Sequence, residues 1–242
     1  MINPEKIRRA VAPLTRVVAT PNEGKENSFS LGVAYGSACL IDVCERDGKT
    51  RGLWLTAKHV LKNSVWALLN FFDGDGCAPR QTPAGALVFS NERDLVALDA
   101  AFPAPRDVAE PLVVSGRNVK LGEWGYIAGW GSSAKGDRFA LQSGQALDLR
   151  YGCLAKEPAP DSAWTALARH CVGFNGLLRP GDSGGAALDA ETGELTGIAL
   201  GQFDAFVDIR GFSSNVGICL DFKDSRDFIE GARRLFRQGG AK

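Results

Sequence analysis

Apolar positions along this chain come in short runs, many of them alternating with polar residues, and the runs are broken by Gly, Asn and Asp. That pattern predicts strands at Thr15–Thr20, Ser30–Val43, Gly52–Thr56, Ser64–Phe71, Ala86–Phe89, Leu95–Leu98, Glu123–Gly129, Phe139–Leu149, Ala186–Leu188, Leu195–Leu200 and Val216–Phe222. Their spacing predicts a mainly β barrel or sandwich architecture. The two ends alone read as helical. Asn3-Pro4-Glu5 supplies an N-cap, a proline in the first turn and an early acid, with a stop before Pro13. Near the other end, Asp224 or Ser225 can cap a helix on which Phe228, Ile229, Ala232, Leu235 and Phe236 form one apolar stripe. Despite Arg233, Arg234 and Arg237 beside it, that stripe reads as a helix packed on a β core rather than a membrane-surface helix. Ala101–Asp107, with Pro103 and Pro105, is the expected linker between two units.

Composition sharpens this picture. The 242 residues carry 28 Lys+Arg and 28 Asp+Glu, a formal net charge of zero. Without a basic run, the chain is not expected to bind nucleic acid or an anionic membrane surface. With 29 Gly, 11 Pro and 1 Met, turn formers outweigh long-helix formers, in keeping with many short strands. No apolar stretch follows the basic cluster near the N-terminus as a secretion signal requires, so the expected location is cytoplasmic. Six cysteines, at 39, 44, 77, 153, 171 and 219, are accordingly expected to be reduced thiols. No cysteine pair has zinc spacing and there are 2 histidines, so neither a metal nor another cofactor is expected.

Chemistry concentrates in Arg179-Pro180-Gly181-Asp182-Ser183-Gly184-Gly185-Ala186, a serine in a glycine-rich turn ahead of an apolar strand. Glycines there let the backbone N–H groups of Gly181 and Ser183 converge on one point, as an oxyanion hole requires. The stretch also fits G-x-S-x-G, the nucleophile elbow of α/β-hydrolases, but in that fold the histidine follows the serine. His59 and His170 both precede Ser183, which excludes it. A serine hydroxyl needs a base to take its proton and the base needs an acid to orient it. His59 stands at the end of the apolar run Leu53–Leu55, whereas His170 has no distinctive surroundings. Asp94 begins the run Leu95–Leu98 and Asp99 ends it, leaving both as candidate acids.

Leu-Thr-Ala-Lys-His59, Asp94-Leu-Val-Ala-Leu and Gly-Asp-Ser183-Gly-Gly, in that order, resemble the three signatures of chymotrypsin/trypsin-like serine proteases. Tyr35–Ile41 is similar to the family's strand before the histidine, Gly129-Trp130-Gly131 to its mid-chain Gly-Trp-Gly, and Gly193–Ala199 to its substrate-flanking strand. The likeness covers roughly residues 15–237 and is closer to disulfide-poor, HtrA-like members than to secreted digestive enzymes, since Val60 stands where those carry a cysteine. It implies two six-stranded antiparallel β-barrels with a cleft between them: an N-terminal helical extension over 1–14, a first barrel over 15–105 with His59 and Asp94, a second over 106–222 with Ser183, and a C-terminal helix over 223–242. It also implies Ser183 as nucleophile, His59 as general base, Asp94 as the orienting acid, and the Gly181 and Ser183 amides as the oxyanion hole.

Two departures from the family pattern bear on function. Leu200 stands where the family commonly has a serine supporting the catalytic acid. Leu177 occupies the position of the acid at the floor of a trypsin-type pocket, and with walls from Leu200, Gly201, Gln202 and Gly217 the resemblance implies a preference for a small or medium apolar residue rather than Lys or Arg. Arg16-Val17-Val18-Ala19 loosely resembles an activation site, where cutting frees an amine that pairs with the acid before the nucleophile, here Asp182; the better reading is simply a first strand. The expected function is a serine endopeptidase acting on protein or peptide substrates. The alternatives are a catalytically silent binding or scaffold protein of the same fold and an esterase. An activating or recruiting protein partner is a further expectation, since no peptide-binding domain follows the C-terminal helix.

Overall fold

The computed structural model describes residues 2–22, 28–72, 78–117, 119–120, 122–131, 138–147, 171–174, 178–203 and 216–239. Helix α1 (Pro4–Ala10) starts as its sequence dictates, the Asn3 side chain accepting from the amides of Glu5 and Lys6 at 3.1 and 3.2 Å. It ends earlier than Pro13, because β1 (Val11–Pro21) already begins at Val11 and carries Pro13 within it. Pro13 is tolerated there because it lies opposite Ser37, whose N–H is turned away from β1.

Six further strands complete a sheet with β1: β2 (Phe29–Arg46), β3 (Lys49–Thr56), β4 (Ser64–Phe71), β5 (Arg80–Pro83), β6 (Gly85–Phe89) and β7 (Val96–Ala101). Their order is β5-β4-β1-β2-β3-β7-β6, all neighbours antiparallel. Among the described residues this first half therefore has seven strands in an open, half-barrel sheet, not six in a closed barrel. The additional strand is β5, a polar four-residue edge segment whose sequence lacks the apolar alternation that marks the others. The second half, β8 (Trp124–Gly131), β9 (Arg138–Leu147), β10 (Cys171–Phe174), β11 (Ala186–Asp189), β12 (Leu195–Phe203) and β13 (Val216–Asp221), closes as the expected six-stranded barrel, in the order β10-β13-β12-β11-β8-β9. The short β10 was also not visible in the periodicity.

Helix α2 (Arg226–Arg237) follows β13 and returns to the first sheet, burying Ile229, Ala232 and Phe236 of its predicted stripe. Arg46 donates to the Phe236 carbonyl at 2.8 Å and Arg237 pairs with Asp42 at 2.9 Å, fastening the helix to the far end of β2. Ser225 is its N-cap by position, but its side chain makes no capping bond. The core of the first half centres on Trp54, fully buried and packed edge-on against Phe71 at 5.9 Å and at a tilt against Phe102 at 5.8 Å. Among the described residues no helix is long and apolar enough to cross a membrane, and Cys39, Cys44, Cys171 and Cys219 are free thiols. Trp54→Ala, which leaves a cavity where two rings lose their partner, is expected to lower stability by about 3–5 kcal/mol in a urea unfolding titration.

Candidate active site

The antiparallel β3–β7 ladder explains how residues 35 positions apart meet. Thr56 at the end of β3 pairs with Val96 at the start of β7, so whatever follows β3 lies beside whatever precedes β7. A 3-10 turn at Lys58–Leu61 follows β3 and presents His59; a bend ahead of β7 presents Asp94. That bend is closed by Ser90 N–H donating to the Leu95 carbonyl at 2.9 Å, and Lys58 Nζ reaches the Ser90 carbonyl at 3.0 Å. Asp94 grips His59 twice: Oδ2 lies 2.6 Å from Nδ1 of the ring, and Oδ1 accepts the His59 amide at 2.8 Å. Burial by itself pushes the Asp94 carboxyl up, but the ring and amide bonds from His59, the imidazole charge and Lys58 together hold it below the usual carboxylate range. Asp99, the other candidate acid, lies at the far end of β7 and pairs with Arg51 at 2.7 Å and with Arg46. The structure brings Asp94, not Asp99, to His59. His170 lies outside the described residues.

The turn that carries Ser183 is held from both halves. Arg179–Asp182 is a turn closed by the Asp182 amide donating to the Arg179 carbonyl at 3.0 Å. Pro180 at its second position and Gly181 at its third, with φ +95°, meet the type II requirement. Among the described residues, neither the Gly181 nor the Ser183 amide donates to a protein acceptor. Gly184, at φ +85°, packs so tightly that a Cβ there would stand 2.1 Å from the Ser37 carbonyl oxygen and from Thr56 Oγ1. No side chain fits.

From the first half, Ser37 of β2 reaches across. Its amide donates to the Ser183 carbonyl at 2.8 Å, its hydroxyl donates to the Gly181 carbonyl at 2.9 Å and accepts the Trp130 amide at 2.9 Å, and its carbonyl accepts from Thr56 Oγ1 at 2.7 Å. Cys39, two residues on and on the same face of β2, directs its thiol to the Gly184 carbonyl at 3.2 Å. Gly36 touches both sides of the site, since a Cβ there would lie 2.5 Å from the side chain of Val60, next to His59, and 3.3 Å from the Ser183 carbonyl. Val60 and Ser183 thus flank one glycine.

The Ser183 hydroxyl donates to the Leu200 carbonyl at 2.9 Å. That carbonyl is available because the β12–β13 register shifts between Ala199 and Gly201, a bulge that takes Leu200 out of the ladder. Leu200 offers no hydroxyl to Asp94; the His59 amide supplies the carboxylate with its second hydrogen bond instead. Of the expected pocket residues, Leu200 is buried on β12, a Cβ at Gly201 would meet nothing within 4 Å among the described residues, and Gln202 pairs with Gly217 of β13 in the ladder, while Leu177 lies outside the described residues. A depression of about 520 Å³ opens beside His59 and Asp94, with Leu61 and Phe89 in its wall. Among the described residues no group of three or more His, Cys, Asp or Glu is placed to hold a metal.

Sequence reasoning missed Ser37, Thr56 and Arg179 as parts of the site. The available signal was a serine, Ser37, immediately before the apolar run Ala38–Ile41, buried completely in the structure. A polar side chain at such a position has to find its partners in the protein.

Residues 36–198, two thirds of the chain, match the trypsin-like peptidase domain family. A search of curated protein sequences returns no match. Similar solved structures include the serine endoprotease from Yersinia pestis, with TM-score 0.58 and 17% identity, covering 99% of this chain and 69% of that one. They also include two structures of the HtrA-type protease AlgW with a tripeptide. A serine-to-alanine variant has TM-score 0.61 and 19% identity over 99% of this chain and 65% of its own. The other has TM-score 0.62 and 19% identity over 98% of this chain and 63% of its own. This chain therefore spans less than two thirds of the length of the AlgW chains. The match over residues 36–198, on a two-sheet mainly β fold, settles the family: this chain belongs to the trypsin-like peptidase domain family.

Proposed function

We propose that the chain is an endopeptidase that cleaves protein or peptide substrates through an acyl-enzyme on Ser183. The observation that carries this reading is the double grip of Asp94 on His59, at 2.6 and 2.8 Å, which fixes the ring with Nδ1 toward the acid and leaves Nε2 for the substrate side. In the proposed reaction Ser183 Oγ attacks the scissile carbonyl while His59 Nε2 takes the hydroxyl proton; the same proton then passes to the leaving amine. Asp94, already ionised, stabilises the imidazolium formed on the way. The Gly181 and Ser183 amides receive the oxyanion, each donor being worth on the order of 3 kcal/mol in comparable sites. Water then hydrolyses the acyl-enzyme, with His59 as base again. Before attack the Ser183 hydroxyl has to leave the Leu200 carbonyl for His59, a side-chain rotation that costs little beside the chemical barrier.

That resting hydroxyl also favours a second reading, a protein of this fold that binds peptides without turning them over. An esterase would use the same groups, and comparing rates on matched ester and peptide substrates separates it. For specificity we propose a small or medium apolar residue before the scissile bond, supported by the buried, uncharged Leu200 and by a Gly201 without close neighbours among the described residues.

Intact-mass spectrometry after fluorophosphonate treatment tests the central claim. One adduct is expected on the unmodified protein and on His170→Ala, and none on Ser183→Ala; an unreactive, folded, unmodified protein would favour the binding reading. Asp94→Asn is expected to cut kcat by roughly 10⁴-fold while leaving the fold intact, because the imidazole loses its orienting acceptor. Since Asp94 titrates below its ordinary range in the folded chain, its contribution to stability is complete at neutral pH and disappears as pH falls through that lowered value. Denaturant midpoints of unmodified protein and Asp94→Asn should accordingly converge on acidification. Cleavage of a mixed peptide library should be dominated by Ala, Val and similar residues before the cut; dominance of Lys or Arg would overturn the pocket assignment.

A further inference from the structure

Asp182, immediately before Ser183, has a side chain only 2% exposed, a costly position for a carboxylate without compensation. Its partner is three residues back in the same turn. Arg179 donates to it from the backbone amide at 2.8 Å, from Nε at 3.3 Å and from Nη2 at 3.2 Å. The Asp182 amide in turn donates to the Arg179 carbonyl, so backbone and side chains close the same four-residue ring from opposite directions. Arg179 Nη2 also reaches the Arg138 carbonyl at 3.1 Å, tying the ring to the start of β9.

The second barrel is shaped to receive this pair. A Cβ on Gly129 would lie 2.7 Å from Asp182 Oδ1, and a Cβ on Gly131 would lie 2.4 Å from Arg179 Nε. The two glycines of Gly129-Trp130-Gly131 are therefore the floor on which acid and base lie side by side. Trp130 between them is fixed by its amide on Ser37 Oγ and by its ring N–H on the Val11 carbonyl at 2.6 Å. The segment Arg16–Ala19, by contrast, lies inside β1, where Arg16 pairs with Ala34 of β2 and Ala67 of β4. An amine freed there would have to abandon two ladders to reach Asp182.

We propose that Arg179 is a positioning residue whose guanidinium, as built-in counter-ion of Asp182, holds the Gly181 and Ser183 amides in their converging arrangement. The reactivity of Ser183 then belongs to the folded chain itself and needs no amine released by cleavage at Arg16. This inference rests on Ser183 being the nucleophile.

The test uses the full chain with three variants, Arg179→Ala, Arg179→Gln and Arg179→Lys, read by the rate of fluorophosphonate labelling, by kcat and KM on a cleaved peptide, and by amide hydrogen exchange over residues 178–185. Arg179→Ala and Arg179→Gln are expected to slow labelling and lower kcat by on the order of 100-fold, the scale of losing one oxyanion donor, with KM little changed and faster exchange in the turn. Arg179→Lys should recover part of the rate, because an ammonium restores the charge but not the planar fork. Labelling within threefold of the unmodified rate in Arg179→Gln would overturn the proposal, and this variant decides the matter if Arg179→Ala does not fold. If the unmodified chain itself does not label, the nucleophile reading fails separately; exchange in the turn then still decides the lock, unchanged exchange in Arg179→Gln overturning it and faster exchange supporting it.

Discussion

The arrangement of this site depends on one buried residue, Ser37, at the point where β2 runs past the end of its ladder with β3. That ladder begins at Cys39, so the Ser37 backbone groups on that side have no strand to bond and turn to the other half of the molecule. Donors and acceptors of Ser37 are used on Ser183, Gly181, Trp130 and Thr56, in a position with no solvent exposure. Left unpaired, those groups would cost far more than the net worth of each bond made, and the network has to be satisfied as a whole. Because its partners include the carbonyls of Gly181 and Ser183, satisfying Ser37 also fixes the Gly181–Asp182 and Ser183–Gly184 peptide planes. Stability of the joint and geometry of the site are one constraint.

The two halves contribute in different ways. His59 and Asp94 are a property of the first sheet alone, set by the pairing of β3 with β7 and by one bend. Ser183 belongs to the second barrel, where its turn is shaped by positive-φ glycines and by the Arg179–Asp182 pair. Gly36, in contact with Val60 and with the Ser183 carbonyl, is where the two constructions meet without a side chain between them. The bulge at Leu200 gives the Ser183 hydroxyl an acceptor of its own. Helix α2 then carries the chain back from the second barrel to β2, through Arg237 on Asp42 and Arg46 on the Phe236 carbonyl, and so fastens the halves a second time.

Much of this was legible in the linear sequence, for reasons that are local. Strand runs show because alternate side chains face alternate sides, and Ser64–Phe71 coincides with β4 to the residue. The Asn3 cap, the apolar stripe of α2 and the glycine-rich turn around Ser183 are likewise written in neighbouring residues. Where local signals were weak the reading was incomplete: β5 and β10 are four-residue strands formed because a partner edge was available, and α1 stops at Ala10 because β2 recruits Val11 onward into a ladder.

By itself, then, the sequence determined the fold class, the two terminal helices, and the order and type of the residues His59, Asp94 and Ser183. Which acid lies against the histidine was decided in three dimensions, where Asp99 is taken by Arg46 and Arg51 while Asp94 lies across the ladder end from His59. The partners of Ser37, the seat that Gly129 and Gly131 make for Arg179 and Asp182, and the turn of Leu200 toward Ser183 were also decided there. The reason is physical: periodicity and turn chemistry act between residues a few positions apart, whereas a buried polar group is satisfied by whatever the packed chain brings within about 3 Å, and here that is backbone more than 90 residues away.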